Sequence, residues 1–176
     1  NLFPMCNSNS KNGSPINIES NNIEKCKLSC ELEFVNKPSK AHIKFKNNMI
    51  RLKYDAGSKI VFNGSVYSLE DNPILDRPSI SVHTPSLHTI DGERFDMEIC
   101  MFYKSDSEGN QESTDNGMIV SRLINKGIGD FGLVDEFFRQ IINHIPLESL
   151  DYYVDVPVSD KWGVNMLEPE RKSFYT

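Results

Sequence analysis

The stretch "SISVHTPSLHTIDGERFDMEICMFY", residues 79–103, decides how the chain is read. Both of its ends, "SISVHT" (79–84) and "FDMEICMFYK" (95–104, one residue beyond the stretch), alternate in side-chain character, which is how a strand sends successive side chains to opposite faces. Between them Asp91-Gly92 reads as a turn, because Gly accepts positive φ and Asp hydrogen-bonds its neighbours. Two histidines, one cysteine and four carboxylates fall within these 25 positions, which is the density of a metal site.

Working outward, period-two segments fill the first hundred residues: "ELEFV" (31–35), "AHIKFK" (41–46), "MIRLKY" (49–54), "KIVFNG" (59–64) and "SVYSL" (65–69). Asn63-Gly64 between two of them is a strong tight-hairpin signal. "SDSEGNQESTDNG" (105–117) reads as an exposed loop, after which "MIVSRLI" (118–124) resumes as a strand. "DFGLVDEFFRQIINHI" (130–145) predicts one amphipathic helix, capped by Asp130, with Val134, Phe138, Ile141, Ile142 and Ile145 at helical spacing and an end at Pro146. Beyond Pro146 the pattern weakens to loops and one short strand. The expectation is a mainly β (α+β) fold, a twisted and mostly antiparallel sheet with one packed helix.

The 176 residues fit one domain, and an apolar share of 38% with ten Phe and six Tyr suffices for a core. Net charge is -6 with no Lys/Arg cluster, which argues against a nucleic-acid groove and disfavours anionic glycans. No apolar run reaches the roughly 18 residues that a membrane span needs. Cys6, Cys26, Cys30 and Cys100 lack paired CxxC spacing, and three disulfide connectivities remain open to them. A Cys26–Cys30 bridge requires a bent backbone. Sequons at Asn12 and Asn63 accept glycans on an oxidising secretory route, with Pro15 disfavouring the first.

Four segments resemble the α-class carbonic anhydrases. "GSPINIES" (13–20) is similar to the family's QSPINI signature, and "SISVHTPSLHTIDGERFDMEICMFY" to its central F-H-F-H-x-P-S-E-H-x-[IV]-D-G-x-x-x-P-x-E-x-H-x-V-H pattern. "GSVYSL" (64–69) fits the segment before that pattern, and "LEPERKSFYT" (167–176) the segment before GSLTTPPC. The four segments follow the family's order at workable spacing. The resemblance implies a single domain over residues 1–176 that is incomplete, with an aromatic-rich stretch expected before Cys6 and about a third of a typical domain after Thr176. It also implies that the partner of Cys6 lies in that later part.

The family's reaction uses three neutral imidazoles around Zn²⁺ and a bound water whose pKa falls to about 7, carbonic anhydrase being the type example of such a site. Carried over by position, the three ligands fall on Ser81, His83 and Cys100, so one imidazole is retained. A serine hydroxyl is a poor ligand at neutral pH, whereas a thiolate is a good one. Glu98 matches the carboxylate that orients the third ligand, and without an imidazole there it is free to pair with His88. Leu87 replaces the glutamate that orients the hydroxide-gating threonine. The proton-shuttle position falls on Asn48 or Met49, neither of which is an imidazole. On residue type alone, His83 and His88 are more often core or edge histidines than ligands, and Cys100 more often a buried hydrophobe or disulfide partner than a metal thiolate.

The expectation is a catalytically inactive carbonic anhydrase-like module without zinc, binding a protein partner or serving as a structural part of a larger protein or complex, on a secretory or cell-surface route. The alternative is a zinc metalloenzyme with altered ligands, His83, Cys100 and an unseen group, retaining hydratase or esterase activity with Glu98 as the nearby base.

Overall fold

The computed structural model describes residues 15–22, 32–54, 57–71, 76–106, 117–127 and 132–168. In chain order the strands are β1 (Asn17–Ile18), β2 (Leu32–Val35), β3 (Ala41–Lys46), β4 (Met49–Lys53), β5 (Lys59–Phe62), β6 (Ser65–Leu69), β7 (Ile80–His83), β8 (Thr89–Ile90), β9 (Glu93–Arg94), β10 (Met97–Ser105), β11 (Gly117–Ile124) and β12 (Val154–Val156). Helix α1 spans Gly132–Ile141. Among the described residues nine strands form one sheet, ordered β12-β3-β4-β7-β10-β6-β5-β2, with β11 also on β10. Every pairing in it is antiparallel. The expected mainly β architecture is the one observed.

Tight turns set the registers. Asn63 and Gly64 have φ of 49° and 81° between Phe62 and Ser65, which face each other across the hairpin. Positive φ at both central residues matches the right-handed twist of the flanking strands. Asn47 and Asn48 do the same between β3 and β4, with φ of 54° and 59°. Asp91 and Gly92, at 51° and 82°, join β8 to β9.

The two most distinctive sequence motifs meet in space. β1 lies parallel to β8, pairing Asn17 with Thr89 and Ile18 with Ile90. The Asn17 Oδ1 accepts from Thr89 Oγ1 and from the Gly92 backbone N–H, both at 2.8 Å, and the Ser20 N–H donates to Asp91 Oδ1 at 2.8 Å. These bonds satisfy polar groups at the turn that the short β1–β8 and β8–β9 ladders leave over.

Strand β10 divides core from cleft. Ile99, Met101 and Tyr103 are buried in one apolar cluster with Ile43, Leu52, Ile80, Phe137, Trp162 and Leu167. Glu98, Cys100 and Phe102 alternate with them onto the opposite face. Each fully buried Ile or Leu contributes about 1.5–3 kcal/mol relative to exposure. Trp162 stacks on Phe137 with ring centroids 4.6 Å apart and donates its Nε1–H to the Phe137 carbonyl at 3.2 Å, which fastens the segment after β12 to the helix. Gly163 follows because a Cβ there would meet Tyr54 Oη at 2.8 Å and the Lys37 carbonyl at 3.0 Å.

The helix corrects the sequence expectation in two respects. Its α-helical part ends at Ile141 and continues as a 3₁₀ turn over Ile142–His144, with Ile145 extended as a residue before proline must be. The change of winding takes Ile142 off the apolar stripe, leaving it 56% exposed. The stripe is Val134, Phe137 and Ile141, with Phe138 and Ile145 flanking it. Asp130, Asn12, Cys6, Cys26, Cys30 and the segment 169–176 lie outside the described residues.

Candidate functional site

Four residues stand in one row across the middle of the sheet. Arg51 on β4 is paired with Ser81 on β7, Ser81 with Cys100 on β10, and Cys100 with Ser121 on β11. One step along, His83 pairs with Glu98. Because β-strand side chains repeat every second residue, all six face the same side. A cavity of about 220 Å³ opens over them, and its walls include Met49, Arg77, Leu87, His88, Phe102 and Ile119. The three positions carried over as ligands are therefore adjacent, as are Leu87, His88 and Glu98 around them. Asn48 sits exposed in the β3–β4 turn, while Met49 lines the cavity without a titratable group. A larger depression of about 490 Å³ lies elsewhere, between the segments around His42 and Asp155. Its side chains include the His42–Asp155 pair at 2.6 Å but no counterpart of this row.

Glu98 is fully buried and accepts four hydrogen bonds. The His88 Nδ1 lies 2.5 Å from Oε1, the backbone N–H groups of Leu87 and His88 donate to Oε2 at 2.8 and 2.9 Å, and Cys100 Sγ donates to Oε1 at 3.3 Å. Burial opposes its ionisation most strongly, yet the bonds from His88, from that residue's backbone and from Ser121, with the His88 charge, together hold it at about 2. Glu98 is thus paired with His88.

The ring nitrogen that His83 presents toward the row is engaged by serine: Nε2 and Ser81 Oγ are 2.9 Å apart. Burial, ahead of the charges of His88 and Arg51, lowers the His83 pKa against the opposing pull of Glu98, so the ring is neutral at pH 7. Cys100 is a free thiol, 3.5 Å from Ser121 Oγ. Burial first, and the Glu98 carboxylate second, push it up to about 12. Without a metal the thiol is therefore protonated at neutral pH. Among the described residues no three His, Cys, Asp or Glu side chains converge to hold a metal ion. The row offers one imidazole, hydrogen-bonded to a serine, and one thiol, whereas a catalytic zinc site takes three protein ligands.

Sequence reasoning missed the cations. Arg51 is 4% exposed, and its Nη1 contacts the Asp76 carboxylate at 2.8 Å and the Asp76 carbonyl at 3.0 Å. The Arg77 guanidinium lies 5.0 Å from the centroid of the Phe102 ring. One signal is present: in "MIRLKY" the alternation puts Arg51 on the face opposite Ile50 and Leu52. Which strands flank β4 is not readable from the residues, so the row cannot be assembled from them.

No protein-family model matches the chain, and no curated protein sequence does. Solved structures do. An α-carbonic anhydrase of Photobacterium profundum superposes with a TM-score of 0.70 at 16% identity, over 94% of this chain and 64% of its own. The α-carbonic anhydrase from Thermovibrio ammonificans, solved with the inhibitor sulfanilamide, gives 0.72 at 18%, over 93% and 62%. A fungal α-carbonic anhydrase from Aspergillus oryzae gives 0.58 at 20%, over 81% and 53%. The fold is α-carbonic anhydrase-like, and the chain spans less than two thirds of each of these structures.

Proposed function

We propose that this chain, built on the α-carbonic anhydrase fold, is a catalytically inactive module that binds a protein partner or forms a structural part of a larger protein or complex. The observation that carries the reading is the contact of Ser81 Oγ with His83 Nε2 at 2.9 Å. The single imidazole retained at the three ligand positions spends its inward nitrogen on a neighbouring hydroxyl. Leu87 offers no carboxylate and Met49 no proton carrier, so these two positions supply neither the acceptor that orients a hydroxide nor a group that exports its proton.

The altered-ligand metalloenzyme needs a third ligand beside His83 and Cys100, and among the described residues no group of three His, Cys, Asp or Glu converges to hold a metal ion. Glu98 would also have to act as a base while holding four donors. The inactive reading asks nothing of either residue beyond the bonds they make.

A protein partner accords with net charge -6 and with exposed apolar side chains such as Leu133 and Ile142. Passage through the secretory route accords with Asn63 lying exposed in its turn, where a glycan has room. The test is stopped-flow CO₂ hydration with zinc content measured on the same sample. The expected rate equals the buffer rate with and without added zinc, and zinc-dependent turnover would overturn the reading.

A further inference from the structure

Arg51 is the least expected residue of the cleft. Its guanidinium is buried, two contacts on Nη1 go to Asp76, and its Nε is a buried donor with no hydrogen-bond partner among the described residues. Leaving such a donor unmet costs about 1–3 kcal/mol. The Arg51 side chain lines the cavity, so its cationic head stands at the wall that an entering acceptor meets.

The charges facing the cavity favour an anion. Arg51 and Arg77 are cationic, and the carboxylate that opposes them, Asp76, has a side chain 58% exposed to water. Glu98 lies beneath, committed to His88 and two backbone N–H groups. The remaining wall is apolar: Phe102 carries Arg77 over its face, and Leu87, Met49 and Ile119 stand around it. Guanidinium donors matched to a planar two-oxygen acceptor, next to a hydrocarbon wall, recognise an acid with an apolar body. At about 30 Å³ per water, the 220 Å³ cavity has room for roughly seven waters, or an acid of about ten non-hydrogen atoms.

We propose that the cleft binds a small organic carboxylate, its oxygens toward the guanidinium groups of Arg51 and Arg77 and its hydrocarbon part against Phe102 and Ile119. This rests on the reading above of a cleft without metal. Binding competes with Asp76 for Arg51, so loss of the Asp76 charge strengthens it.

The test is calorimetric titration of the chain, treated with chelator and checked for zinc, with sodium benzoate, neutral benzamide and sodium sulfate at constant ionic strength. One benzoate per chain is expected, with benzamide and sulfate at least tenfold weaker. R77Q should weaken benzoate about tenfold and D76N tighten it several-fold. R51Q should abolish it, and because that variant removes a buried ion pair its fold is checked by circular dichroism, the other two variants standing without it. No saturable benzoate heat, equal affinity for benzamide, or R77Q and D76N without effect overturns the proposal, and tighter sulfate replaces the organic acid with an inorganic oxyanion. Zinc in the untreated protein, with benzoate binding lost on its removal, overturns the metal-free reading as well; zinc-free protein that ignores benzoate overturns this proposal alone.

Discussion

Glu98 and His88 form a buried pair, Nδ1 to Oε1 at 2.5 Å, that ties the turn before β8 to the middle of β10. The same carboxylate takes the backbone N–H groups of Leu87 and His88. One carboxylate thus anchors the loop before β8 to the sheet.

That anchor makes stability depend on acid. Glu98 ionises near 4.5 in an unfolded chain and at about 2 in the folded one, so its contribution is complete above pH 4.5 and is lost as pH falls toward 2. E98Q, which presents an amide where four donors need an acceptor, is expected to cost about 3 kcal/mol at pH 7. Urea denaturation should show the gap between wild type and E98Q narrowing below pH 4.5; a gap independent of pH would mean that the charge is immaterial. His83 acts in the same direction: its folded pKa lies below 6.5, so the unfolded chain gains a proton first as pH drops.

Cys100 should be nearly inert in the folded protein. Moving a thiol from 9.0 to about 12 lowers its thiolate fraction roughly a thousandfold. Peptide-resolved alkylation with iodoacetamide at pH 7.5 should label Cys100 at least a hundredfold faster in urea than in buffer. Comparable rates in the two conditions would contradict the burial and the charge assigned to it.

The lone tryptophan reports on the core. Phe137 stacks on Trp162 and takes its indole hydrogen bond on the backbone carbonyl, so F137A removes the ring but not the acceptor. A loss of about 3–5 kcal/mol is expected, with a red-shifted Trp162 emission as water reaches the indole. Unchanged emission would mean that the segment after β12 is held elsewhere.

Much of this is legible in the residues. Period-two alternation marks β3, β4, β6, β7 and β10, and Asn63-Gly64 fixes its hairpin, because these are local consequences of backbone geometry. Neighbour relations across the sheet are not local: β10 shares one edge between β7 and β6, and nothing in 95–104 announces it. For the same reason Ser81, His83 and Cys100 are found by motif, whereas Arg51, adjacent to Ser81 only through β4, is not. Helical spacing alone favours Phe138 over Phe137 because two adjacent aromatics fit a helical stripe almost equally, and the position of Trp162 decides between them.

The central claim is that Ser81 and Cys100 stand where two imidazoles would be needed, in a cleft whose backbone retains the required spacing. Native mass spectrometry after incubation with equimolar zinc tests it most directly, comparing the wild type with the S81H/C100H double variant. The expected result is no zinc adduct on the wild type and one zinc per chain on the double variant, held with His83. A wild type carrying one zinc, or a folded double variant that binds none, would contradict it.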